Sequence, residues 1–79
     1  MKILLEYIVK NIVKVPDEVI ITETTNEDGV VVFNISVNPE DMGRVIGKGG
    51  KVINSIRTIM RVKAAASKTR FLVELTQVS

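Results

Sequence analysis

Between Val45 and Ile53 the chain reads Val-Ile-Gly-Lys-Gly-Gly-Lys-Val-Ile, and its clearest chemistry lies there. Glycine has no Cβ and tolerates positive φ, so the backbone from Gly47 to Gly50 can turn tightly and approach a ligand closely. The run lies between a short helical pattern and a long one. At the start of the second, unpaired amides and the helix dipole attract an anion. Lys48 and Lys51 add formal positive charge, so the loop is suited to holding phosphates. Two familiar phosphate loops fail on spacing. A Walker A motif needs glycine five residues before the Gly-Lys pair and Ser or Thr after it, but Val45 and Val52 hold those places. A dinucleotide fingerprint needs glycines at i, i+2 and i+5 directly after a strand; here the third place is Val52 and the loop follows a helix.

Histidine and cysteine are both absent. That removes the commonest general base, thiolate metal sites and disulfides, so neither an enzyme nor a metal or cofactor protein is expected. The net charge is only +2, but it is unevenly spread. Arg44, Lys48, Lys51, Arg57, Arg61, Lys63, Lys68 and Arg70 fall between Met42 and Val73, a window without Asp or Glu. A block of this kind is the footprint of a polyanionic partner. A merely solvated helix face is the plainer alternative, although such faces normally mix signs.

The elements that must position the loop follow from periodicity. Leu4, Leu5, Ile8, Val9, Ile12 and Val15 recur at helical spacing and predict a helix over 2–15, ended by Pro16. Val19–Thr25 is β-branched and strand-like, and Asn26-Glu27-Asp28-Gly29 is a turn. Val31, Phe33, Ile35 and Val37 alternate with Val32, Asn34, Ser36 and Asn38 as a second strand. Asn38 can cap a short helix with Pro39 in its first position and Met42, Val45 and Ile46 as its apolar stripe. A long helix runs from Lys51 to about Ala66 on an arc of Val52, Ile53, Ile56, Ile59, Met60 and Ala64; Val62 lies outside that arc. Phe71, Val73 and Leu75 alternate as a last strand. The order is helix, strand, strand, helix, helix, strand, in one domain over 1–79. The apolar start Met1–Leu5 is interrupted too early for a signal peptide. No stretch approaches the ~20 residues of a membrane span, so the chain is expected to be soluble and cytoplasmic.

In that context the nine-residue segment resembles the Val-Ile-Gly-x-x-Gly-x-x-Ile signature of KH domains, whose loop clamps a nucleic-acid backbone. The extra helix and strand precede the core, so the resemblance is to the type II arrangement. It implies an α+β fold: a three-stranded mixed sheet with three helices on one face. Asn38-Pro39-Glu40-Asp41-Met42-Gly43-Arg44, the Arg57-Thr58 pair and the alanine-rich helix end further resemble the bacterial KhpA family of stand-alone KH domains.

What the resemblance implies is binding of single-stranded RNA, with a role as RNA chaperone or post-transcriptional regulator. It also implies pairing as a homodimer, or as a heterodimer with a larger KH-domain protein. By carry-over from the motif, the amides of Lys48 and Gly49 meet phosphates and Gly47 and Gly50 act as hinges. Arg44, Lys51 and Arg57 are flanking electrostatic contacts. Ile46 and Ile53, the apolar signature positions, either border the bases or belong to the core. Arg61, Lys63, Lys68 and Arg70 either extend the path or solvate the helix end. Tyr7, Phe33 and Phe71 are the only aromatic residues, so base stacking on a sheet platform is not expected. Single-stranded DNA stays open as a ligand, because backbone clamping needs no 2′-hydroxyl. A protein-interaction scaffold without RNA binding is the alternative function.

Overall fold

The computed structural model describes residues 1–77. Helix α1 (Lys2–Ile12) buries Leu5 and Val9 completely, and Leu4, Ile8 and Ile12 flank them. It stops three residues earlier than periodicity predicts. Past Ile12 the backbone is extended, and the amides of Lys14 and Val15 donate to the two carboxylate oxygens of Asp41, at 2.9 and 3.0 Å. A tertiary acceptor thus takes the amides that helix propagation would have used. Pro16 then opens a 3₁₀ turn (Pro16–Glu18) that leads into β1 (Ile20–Thr25).

The turn between β1 and β2 (Val31–Val37) is fastened by Asn26, whose side-chain oxygen accepts from the amides of Asp28 and Val30. Strand β2 is central: antiparallel to β1 on one side and parallel to β3 (Phe71–Gln77) on the other. The register sets the faces. Ile21 lies beside Ile35, and Phe33 beside Val73, so alternate residues enter the core together. The opposite face carries Thr22, Asn34 and Glu74 in one row, with Ile20 and Leu72 exposed.

Asn38 caps as expected, its side-chain oxygen accepting from Glu40 at 2.8 Å, but what it caps is a 3₁₀ turn (Pro39–Asp41). Helix α2 proper is one short stretch, Met42–Ile46. Helix α3 (Lys51–Ser67) contributes Ile53, Ile56, Met60 and Ala64 to the core. With Leu5, Val9 and Val45 they cover a single face of the sheet. Ile59, expected in this arc, is 46% exposed and shares the outer side of α3 with Val62, at 70%. The core is therefore narrower than the run of apolar residues along the helix. No helix among the described residues is long and apolar enough to cross a membrane.

Candidate nucleic-acid interface

The loop between α2 and α3 is a single 3₁₀ turn, Lys48–Gly50, entered through Gly47. Gly47 has φ 76° and ψ 170°, a region essentially confined to glycine. A Cβ there would overlap the Val52 side chain and lie 2.8 Å from the Val52 amide nitrogen. Gly47 is thus required by the fold itself. Gly49 differs: it is left-handed at φ 63°, but a Cβ there would meet nothing within 4 Å. The backbone at Gly49 faces open space.

The amides of this loop divide in the same way. Gly47 donates to the Gly43 carbonyl, Gly50 to that of Gly47 and Lys51 to that of Lys48. The amides of Lys48 and Gly49 have no partner among the described residues. Both residues are exposed, so the two free donors stand at the surface next to the Lys48 side chain and the first turn of α3. Unpaired donors at a helix start, with formal charge beside them, are chemically suited to an anion.

Around the loop the candidate residues separate. Arg44 is 58% exposed, with Nε 3.8 Å from Oδ1 of Asp41. Among the described residues Asp41 is the one buried charged residue, and it ties the end of α1 to the helix that carries Arg44. Lys51 is exposed on the first turn of α3. The two apolar signature positions part company. Ile53 is buried under the loop, whereas Ile46 is 37% exposed beside it.

A cleft of about 220 Å³ lies between α3 and β3, lined by Arg57, Arg61, Phe71, Leu72 and Val73. Arg57 reaches across it, and its Nη2 donates to the Val73 carbonyl at 3.1 Å. Arg61 follows one helical turn on, within the same wall. Arg70 turns elsewhere, donating to the Asp28 carbonyl and fastening the start of β3 to the β1–β2 turn. Lys68 closes the far end of α3. Phe71, Leu72 and Val73 were not singled out from sequence as site residues. Their signal was the alternation of β3, which turns Leu72 to the side away from the core.

A sheet of order β1-β2-β3 with β3 parallel to β2, joined through helix, Gly-x-x-Gly and helix, defines a KH domain of the type II arrangement. The family model described as KhpA/KhpB, KH domain, matches residues 2–75, and the chain belongs to that family. It is 44% identical over 75 residues to the RNA-binding protein KhpA of Clostridium acetobutylicum, covering 95% of this chain and 99% of the relative. It is 46% identical over 68 residues to the KhpA of Thermotoga maritima, covering 86% and 89%. With the KhpA of Clostridium perfringens it shares 37% over 75 residues, covering 95% and 99%. The family is one of KH-domain proteins and not of enzymes.

Proposed function

We propose that the chain is a single KH domain over 1–79 that binds single-stranded RNA. In this reading the strand's backbone lies on the free amides of Lys48 and Gly49, and its bases enter the cleft between α3 and β3. The observation that carries this is the coincidence of two unpartnered loop amides with an arginine-lined cleft along the same helix. The names of the relatives, RNA-binding protein KhpA, support it. Lys48, Lys51 and Arg44 supply the field around the loop, Ile46 offers an apolar edge to a base, and Ile53 supports the loop from beneath. Such a domain acts in the cytoplasm as an RNA chaperone or post-transcriptional regulator. The same amides would hold a single-stranded DNA backbone.

Ile59 and Val62, exposed at i and i+3 on the outer side of α3, favour pairing with a second copy or with a larger KH-domain protein. Two joined sites would bind a longer strand more tightly than either alone.

The test is fluorescence anisotropy with labelled single-stranded RNA of random sequence across a salt series. It compares the native protein with a Lys48→Asp, Gly49→Asp variant, each shown by its thermal midpoint to be folded at the assay temperature. Native binding that weakens steeply with salt and is lost in the variant supports the loop as the clamp. Equal binding by both moves the site away from the loop. Absence of binding by either leaves the protein-interaction scaffold.

A further inference from the structure

The two arginines of the cleft stand in different situations. Arg57 is half-buried and already committed to the Val73 carbonyl. Arg61 is exposed and has no hydrogen bond or ion pair to any described residue. The motif carry-over makes Arg57 the electrostatic contact and leaves Arg61 open between path and solvated face; the geometry suggests a different division.

The sheet register explains what Arg57 covers. Val31 donates to the Arg70 carbonyl, and Val31 is paired with Phe71 in the parallel ladder. In this phase the even-numbered residues of β3 direct their main-chain groups to β2. Phe71, Val73 and Leu75 direct theirs to the open edge of the sheet. The Val73 carbonyl is therefore an acceptor facing the cleft, and the Arg57 guanidinium occupies it.

We propose that the two arginines divide the work of the cleft. Arg61 neutralises a phosphate of the bound strand. Arg57 is a positioning residue that ties α3 to the edge of β3 and, by covering the Val73 carbonyl, disfavours bases that present an amino group there. The proposal rests on the RNA-binding reading above. Arg57 has further donors, but one of them anchors its guanidinium to a carbonyl of a half-buried wall. It cannot swing out to a phosphate without loosening that bond, whereas Arg61 gives up only water. A cation held against the carbonyl also repels an incoming N–H and attracts acceptors. The adenine N6 and cytosine N4 amino groups lose at this position, and uracil O4 or guanine O6 and N7 gain.

The experiment measures binding of four labelled homopolymers, oligo(A), oligo(C), oligo(G) and oligo(U), across a salt series, with thermal midpoints recorded for every variant. Arg61→Gln is expected to lower the slope of log K against log salt by about one, uniformly for all four. Arg57→Met removes the donor while keeping the bulk of the chain. It is expected to keep the native slope and to shift the ranking severalfold towards oligo(A) and oligo(C). Arg57→Lys, which restores a donor to the carbonyl, is expected to restore the native ranking. The proposal is overturned if Arg57→Met lowers the slope as Arg61→Gln does. It is equally overturned if Arg61→Gln leaves the slope unchanged, or if the ranking stays fixed in Arg57→Met. Failure of the native protein to bind any homopolymer at low salt overturns the RNA-binding reading and this proposal with it; binding without the division just described overturns the proposal alone.

Discussion

Helix α3 begins and ends on a residue in the left-handed conformation, and the two ends are finished in opposite ways. At the C-terminal end Lys68 (φ 53°, ψ 39°) turns the chain so that its amide reaches the Ala64 and Ala65 carbonyls. Thr69 then donates to Ala64 at 2.9 Å. The end is closed on itself, with the charge of Lys68 near the negative pole of the dipole. At the N-terminal end Gly50 (φ 77°, ψ 14°) is also left-handed. There the turn closes only through Gly50 and Lys51, and the amides of Lys48 and Gly49 have no partner among the described residues. One backbone conformation therefore serves closure at one end and availability at the other. What differs is whether the neighbouring amides fold back on the helix.

Three substitutions test that contrast. The largest effect is expected at Gly47, where an added methyl meets Val52 and the φ/ψ pair suits glycine alone. Gly47→Ala should cost about 3 kcal/mol or more, lowering Tm by roughly 12 °C or more. A Tm within a few degrees of native would show that the loop can relax around a side chain. Gly49→Asp comes next, with the opposite balance. Its left-handed backbone tolerates aspartate at about 1 kcal/mol, while RNA affinity should fall at least about tenfold, or ~1.4 kcal/mol. A large Tm loss with binding retained would reverse the roles assigned to the two glycines. The smallest effect belongs to the closed end. Lys68→Gly exchanges a strained lysine for the residue that suits a helix C-terminus, at the loss of a favourable charge. Tm should rise by no more than about 2 °C, a few tenths of a kcal/mol. A fall of several degrees would mean that the lysine side chain holds the end together.

Much of this was legible in the sequence, because local spacing carries it. The 3.6 and 2.0 periodicities place five of the six principal elements, β-branched composition places β1, and the spacing of glycines around Lys48 places the loop. What could not be read depends on contacts between distant residues. Asp41 looks like an acidic residue favouring a helix start, yet its carboxylate is spent on amides 26 and 27 residues away, and that shortens α1. Arg57 and Arg61 share a residue type and a helix side. Only the position of β3 shows that one is engaged and the other free. Ile59 fits the apolar arc by angle, but the sheet is too narrow to cover it. Ile46 and Ile53 occupy equivalent places in the motif, and only the packing beneath the loop sends one inward.

The parallel pairing of β2 with β3 has a consequence for how the molecule assembles. β1 and β2 are joined by a tight turn and can zip locally. β3 must wait for the whole crossover, residues 38–70, to be in place. The cleft lies on that late seam, since Phe71, Leu72 and Val73 form one wall and Arg57 and Arg61 the other. Any excursion that frees β3 erases the cleft while the β1–β2 hairpin persists. Exchange of the β3 amides bonded to β2, those of Leu72, Glu74 and Thr76, with solvent deuterium therefore reports directly on how often the cleft exists. A strand of RNA bound across it would slow that exchange before it slowed exchange anywhere in the hairpin.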